Sequence, residues 1–132
     1  MAIALPEGFW WDWDVVSWDP SCLVLGAGYD LGYHHLLELR FGEPELVSCP
    51  AAFQDPVFRD PTAAETDRVH AQLGAAPPVL VAFTADAGGP APAEGLIAAG
   101  RLSIVRGTVF RYWREELGPA ERLAPWVRAP VG

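Results

Sequence analysis

The chain has 132 residues, of which 51% are apolar and 20% are charged, and its net charge is −8. This length and composition predict one globular domain over residues 1–132, with a single hydrophobic core. Residues 1–67 contain twelve acidic residues and two arginines, whereas residues 68–132 contain five acidic residues and seven arginines. The acidic first half of the chain should repel phosphate backbones, and the mildly basic second half should attract them only weakly. Nucleic-acid binding is therefore disfavoured.

The N-terminus and the cysteines indicate where the protein resides. Residues 1–8 lack the basic region and long apolar run of a signal peptide. No uncharged apolar run approaches the roughly 20 residues that a membrane span needs. Cys22 and Cys49 are the only cysteines, and we interpret them as free, buried thiols rather than as a disulfide. We therefore expect a cytoplasmic protein of small acidic bacterial type that does not bind membranes.

The first predicted element contains four of the six tryptophans and three aspartates between positions 10 and 19. Its alternation predicts a strand with one wholly apolar face and one mixed face. The apolar face, which we expect to turn inward, carries Phe9, Trp11, Trp13 and Val15. The mixed face, which we expect to point outward or toward a rim, carries Trp10, Asp12, Asp14 and Trp18. Asp19 begins the turn that leads to a second strand over residues 22–25.

Further along the chain, the patterns predict more short strands and one helix. Residues 33–41 alternate strictly, which is typical of a half-buried antiparallel strand, and a turn at 42–44 leads to a short strand over 45–49. Residues 50–61 read as an irregular connection. Thr62 and Glu65 form a capping box that begins a helix over about 62–73, with Gly74 as its C-cap.

The second half of the chain completes the predicted sheet. Residues 79–83 form a strand, and residues 96–105 and 108–113 form a hairpin that turns at Arg106-Gly107. The tail makes one helical turn that docks Leu123 and Trp126. The fold class is therefore α+β, a mainly antiparallel sheet arranged as a meander of about six or seven short strands with one short helix packed on it.

Candidate chemistry is sparse in this sequence. The three histidines lack the spacing of a zinc site, and neighbouring residues His34 and His35 point to opposite faces of a strand, so we expect no metal and no cofactor. Asp12 and Asp14 have the separation of an inverting glycosidase pair, but a chain with short loops offers little material for a cleft. A pair of Cys49 with a histidine is conceivable, although apolar neighbours raise a thiol pKa. We predict no catalytic residue.

The remaining signal is a binding surface. The acidic half of the chain presents aromatic side chains together with carboxylates, which suit a partner with a basic surface. We therefore predict a non-enzymatic protein-interaction module, of which an immunity-type inhibitor is one example. The alternatives are a small-ligand or carbohydrate-binding domain that uses exposed tryptophans, and a small hydrolase; a homodimer is a further option. The predicted binding residues are Trp10, Asp12, Asp14, Trp18 and Asp19.

Overall fold

The computed structural model describes residues 2–131. It contains seven strands and one helix. The strands are β1 (Asp12–Trp18), β2 (Cys22–Gly28), β3 (His34–Ser48), β4 (Ala52–Arg59), β5 (Val79–Asp86), β6 (Ala93–Phe110) and β7 (Glu121–Leu123). The helix, α1, spans Ala63–Leu73 between β4 and β5.

Six of these strands close into a barrel. They pair antiparallel in the order β3-β2-β1-β4-β5-β6, and β3 also pairs with β6, which joins the two ends of the sheet. Strand β7 lies outside this closed ring and pairs parallel with the last three residues of β6. The predicted fold class, a mainly antiparallel sheet with one short helix, is confirmed, and the sheet is a closed barrel.

Large aromatic side chains fill the interior of the barrel. Trp13, Phe41, Phe53 and Phe83 are fully buried, among leucines from β2 and β3. The rings of Phe53 and Phe83 stack with their centroids 4.8 Å apart, and Trp13 stacks on Phe53 at 6.0 Å. Because burial of one such side chain contributes about 1.5–3 kcal/mol, this cluster makes a large apolar contribution to stability.

Three turn signals in the sequence are β-bulges in the structure, so three sequence-based predictions were wrong. Residues 34–48 form one strand rather than two, because Glu43 takes a positive φ of 51° and the ladder shifts register between Pro44 and Leu46. Residues 96–113 do not form a hairpin, because β6 runs straight through Arg106-Gly107. The connection over 50–61 contains β4, which shifts register after Gln54. Bulges bend long strands, which lets a few strands curve around a closed barrel.

The chain before β1 does not follow the predicted alternation. The strand begins only at Asp12, so the period of two does not extend back to Phe9 and Trp11. Phe9 is 79% exposed and Trp11 is 46% exposed, which contradicts their predicted place in the core. Trp13 is fully buried as predicted, and Val15 packs against the core cluster.

The helix has the predicted ends. The Thr62 side chain accepts from the backbone of Glu65, and the Glu65 carboxylate accepts from the backbone of Thr62, which is the expected capping box. Gly74 ends the helix with a φ of 78°. Val69 is the buried residue of α1, and it packs on β5 and β6 in a small cluster with Ala82, Leu96 and Ala98. Among residues 2–131 there is no helix of the length and apolar character that crossing a bilayer requires.

The tail differs from its prediction. Residues 121–123 form β7 rather than a helical turn, and Ala124 is the buried residue of this segment, with its N–H donating to Phe110 O. Leu123 is half-buried, whereas Trp126 remains 49% exposed. The C-terminal segment therefore lies along the end of β6 and reaches the outer face of β2 and β3.

Candidate functional site

The five predicted binding residues do not form one surface. Trp10 is half-buried; its Nε1 donates to Pro6 O over 2.6 Å, and the Arg106 guanidinium lies 5.5 Å from its ring. Trp18 is 59% exposed at the other end of β1, so about 26 Å of extended chain separates the two tryptophans. Asp19 accepts from Ser21 in the turn after β1, and these hydrogen bonds lower its pKa.

The two aspartates of β1 are each engaged by another side chain. Gln54 Nε2 donates to Asp12 Oδ1 over 3.0 Å. Arg111 donates from Nη1 and Nη2 to the two oxygens of Asp14, at 2.6 and 2.8 Å. Both oxygens of Asp14 are thus engaged by one guanidinium in a bidentate pair.

Asp14 is the first member of a buried polar network on the outer face of the barrel. Arg111, whose side chain is 9% exposed, also donates from Nε to His35 Nδ1 over 3.1 Å. His35 is fully buried, and its Nε2 lies 2.7 Å from Glu38 Oε2. Glu38 is 3% exposed and in turn accepts from Arg40 Nε over 2.9 Å. The network thus runs through Asp14, Arg111, His35 and Glu38.

A glycine makes space for this network. Asp14 pairs with Gly26 in the β1–β2 ladder, and Gly26 pairs with Glu38 in the β2–β3 ladder, so these residues form one row across three strands. The Arg111 and His35 side chains lie over the middle of this row. A Cβ at Gly26 would lie 3.2 Å from Arg111 Nη2 and from His35 Cγ, and 2.6 Å from Val16 Cγ2. The missing side chain at position 26 is therefore a requirement of the network.

The hydrogen-bond roles in the network follow from its chemistry. Arginine can only donate, so His35 Nδ1 accepts and its Nε2 carries the proton that is donated to Glu38. Burial raises the pKa of Glu38, but the hydrogen bond from His35 and the pairs with Arg122 and Arg40 outweigh it and hold that pKa at about 2. Both ring nitrogens of His35 are engaged, and the side chain is out of contact with solvent. The network therefore ties β1, β3 and the segment after β6 together.

The Cys49 thiol and the candidate metal ligands can also be located in the structure. Cys49 Sγ lies 3.2 Å from Pro50 O, and burial raises the pKa of this thiol to about 12, which leaves almost no thiolate at neutral pH. Among residues 2–131, no three His, Cys, Asp or Glu side chains come together as metal ligands would.

Two further cavities are lined by apolar and acidic residues, and both include residues of β4. They measure about 380 and 370 Å³ and share Asp55, and we call them together the Asp55 groove. One cavity is lined by the N-terminal segment, including Phe9, Trp10 and Trp11. The other lies between β4, β5 and the loop after β5, and includes Val57, Asp86 and Pro92. Of the predicted residues, only Trp10 lines this groove.

Asp55 owes its position to the bulge in β4. It takes a positive φ of 49°, its N–H donates to Trp11 O over 2.8 Å, and the next residue is Pro56. Aspartate is among the few residues that tolerate this conformation. The bulge turns the Asp55 side chain out of the ladder and ties β4 to the tryptophan segment. The sequence carried a signal for it, the Asp-Pro pair within residues 50–61, but that signal indicated a loop.

A second aromatic cluster, which the sequence pattern did not reveal, lies where β3 begins and β6 ends. The rings of Tyr33 and Tyr112 meet edge to face at 6.2 Å and 87°, and those of Tyr29 and His34 do so at 5.6 Å and 86°. Arg114 lies 4.3 Å from the Phe110 ring. These rings stabilise one another through edge contacts.

Comparison of the chain with protein-family models, with curated proteins and with solved structures gave no match. The function proposed below therefore rests on the geometry of the described residues.

Proposed function

We propose that this protein is a non-enzymatic interaction module that binds a basic, partly apolar segment of a protein partner in the Asp55 groove. The observation that carries the proposal is the coincidence, in one groove, of exposed apolar side chains and carboxylates without ion pairs. Phe9, Trp11 and Val57 are 79%, 46% and 65% exposed. Asp55 and Asp86 are the charged residues of the two cavities, and neither forms an ion pair with any of residues 2–131.

Energetic reasoning favours a partner of mixed character. Aromatic side chains that meet a partner in a desolvated pocket contribute most of the free energy of binding, whereas exposed charges mainly increase the association rate and select partners of opposite charge. An arginine or lysine of the partner would meet Asp55 or Asp86, and a neighbouring aliphatic side chain would contact Trp11 or Val57. An acidic partner would be repelled by the net charge of −8.

This proposal keeps the predicted class of function and moves the predicted site. Trp10 remains part of the binding surface, while Asp12 and Asp14 support the fold through Gln54 and Arg111. Trp18 and Asp19 lie at the far end of β1 and have no place in the proposed interface.

The test uses defined peptides rather than capture from a lysate. Fluorescence anisotropy would compare labelled peptides of alternating Arg and Leu, Arg and Ser, and Glu and Leu. We expect the first to bind best, because it alone supplies both charge and apolar contact. The double variant Asp55→Asn with Asp86→Asn should weaken its binding about tenfold or more, since two charge-assisted contacts are lost.

The matched control has the same change in net charge at a distance from the groove. Asp30 and Asp67 are both exposed and line neither cavity, so Asp30→Asn with Asp67→Asn should leave the affinity nearly unchanged. Equal weakening by the two double variants would mean that the peptide responds only to net charge, and the proposed groove would then be rejected.

A further inference from the structure

A third cavity, of about 220 Å³, opens beside the carboxylate of Glu38 on the outer face of the barrel. Its apolar lining includes Val16 of β1, Val24 of β2 and Pro125 of the C-terminal segment. Arg40 and Arg122 line the polar side, and each side chain is about two-fifths exposed, at 39% and 40%. This cavity shares no lining residue with the Asp55 groove.

The polar side of this cavity has more positive than negative charge. Arg40 Nη2 lies 2.8 Å from Glu38 Oε1, and Arg122 Nη2 lies 2.9 Å from the same oxygen. One carboxylate therefore faces two guanidinium groups. The adjoining Asp14–Arg111 pair is balanced, so it does not supply the missing negative charge. A local excess of one positive charge stands out in a chain whose net charge is −8.

Arg122 is also short of hydrogen bonds. Its Nη2 is close enough to Glu38 for an ion pair, but it is buried and not aligned for a hydrogen bond with any of residues 2–131. A buried donor that makes no well-aligned hydrogen bond destabilises the folded protein. A second acceptor in the cavity would draw the guanidinium into better alignment and would reduce this cost.

We propose that the cavity binds a small monocarboxylate with a short apolar group. The ligand carboxylate would bridge the guanidinium groups of Arg40 and Arg122, and its apolar group would contact Val16, Val24 and Pro125. One excess positive charge suits a monoanion, and the planar guanidinium fork matches a carboxylate. At roughly 30 Å³ for each water-sized group, the volume admits about seven non-hydrogen atoms, the size of a branched short-chain acid.

Cys22 provides a built-in probe, because it is a free cysteine that lines the same cavity. In alkylation the thiolate sulfur attacks the methylene carbon of the reagent, a thioether forms and iodide leaves. Iodoacetate carries a carboxylate beside the reacting carbon, whereas iodoacetamide is its neutral isostere. A thiolate without positive charge nearby should favour the neutral reagent, because thiolate and iodoacetate repel each other. The proposed site should reverse this preference at Cys22.

The experiment measures the rate constants of both reagents at Cys22 by peptide mass spectrometry. We expect the iodoacetate rate to saturate with concentration and to exceed the iodoacetamide rate.

Isobutyrate should protect Cys22 and isobutyramide should not. A tripeptide that ends in a free valine carboxylate distinguishes the sources of the ligand: protection by isobutyrate alone supports a free acid, and protection by both supports a site that also accepts a chain terminus. Cys49, whose pKa burial raises to about 12, serves as the slowly reacting reference for folding.

Two variants sharpen the result. Arg122→Gln should lower the ratio of iodoacetate to iodoacetamide rates at Cys22 about tenfold, since it removes one charge-assisted contact. Arg101→Gln removes the same charge from an arginine that is 64% exposed and lies outside the cavity, and it should leave the ratio unchanged. Equal ratios in the two variants, or no protection of the native protein by either acid, would overturn the proposal. The protection assay uses the native chain and so does not depend on the variants folding.

Discussion

At the scale of single residues, Gly26 is the position where one methyl group should have the largest effect on the buried polar network. Its φ lies outside the left-handed region, so alanine meets no backbone strain there. The clash is with side chains, since a Cβ would lie 2.6 Å from Val16 Cγ2 and 3.2 Å from Arg111 Nη2. We expect Gly26→Ala to lower the free energy of unfolding by about 1–3 kcal/mol, measured by urea denaturation with tryptophan fluorescence.

Gly28 offers the matched control for this substitution. It lies two residues along the same strand and is also buried, but a Cβ there would meet its nearest atoms at 3.6–3.7 Å, an ordinary contact distance. Gly28→Ala should therefore change stability little. Equal destabilisation by both variants would show that glycine in β2 matters for a reason other than space for Arg111 and His35.

Single-residue burial was predictable only where a regular strand extends on both sides. Trp13 lies inside β1 and is buried as its position in the alternation predicts. Trp11 lies one residue before β1 and is 46% exposed, while Trp10 packs on the core. No period of two operates in an irregular segment, so the sequence could not distinguish these two tryptophans. His35 lies inside β3 and is fully buried, with its Nε2 2.7 Å from Glu38 Oε2.

At the scale of elements, the capping box of α1 gives a clear prediction. Thr62→Ala removes the side-chain oxygen that accepts from Glu65 N over 3.1 Å, and it should destabilise the protein by about 1 kcal/mol. Thr66→Ala is the same substitution inside the same helix, where alanine is the better helix former, so it should be neutral or slightly stabilising. Thermal unfolding followed by circular dichroism distinguishes the two variants, and a Thr62→Ala midpoint no lower than that of Thr66→Ala would contradict the prediction.

The elements differ in how well local sequence determines them. The helix was predictable because its caps are local chemistry over twelve residues. The two longest strands, β3 and β6, were not, because Gly42-Glu43-Pro44 and Arg106-Gly107 have the composition of turns. Only the pairing of β3 with β6 over most of their length decides that these residues bulge rather than reverse the chain. That pairing joins residues about 50–80 positions apart. A short window of sequence therefore contains no signal that predicts it.

At the scale of the whole molecule, closure of the barrel creates sites that no segment contains. Arg111 and Asp14 are 97 positions apart, and they meet because β1, β2, β3 and β6 are successive neighbours. The Asp55 groove likewise combines the N-terminal segment with β4 and the loop after β5. Composition gives the acidic and aromatic character of the chain, but only the closed topology determines which acids form ion pairs.

The same closure links the stability of the molecule to pH through Glu38. Its ordinary pKa is 4.5 and its folded value is about 2, because its hydrogen-bonded and ionic partners outweigh the effect of burial. Between these values the unfolded chain binds more protons than the folded chain, so stability falls as the pH is lowered from about 4.5 to 2. Above pH 4.5 the contribution, about 3 kcal/mol, is fully present.

Glu65, whose pKa is also held at about 2, chiefly by Arg59, adds a smaller contribution of the same sign, since Arg59 is partly solvated.

Glu38→Gln separates this linkage from simple loss of a contact. The variant should be less stable at pH 7, because His35 and Arg40 lose a charged hydrogen-bond acceptor and Arg122 loses its ion-pair partner. Its further loss of stability between pH 4.5 and 2 should be smaller than that of the native protein by about 3 kcal/mol. Glu43→Gln, at a carboxylate that is 71% exposed, should keep the native pH profile. Urea unfolding at a series of pH values measures these slopes. If the pH profile of Glu38→Gln were parallel to that of the native protein, protonation of Glu38 would not be the cause of the loss of stability at low pH.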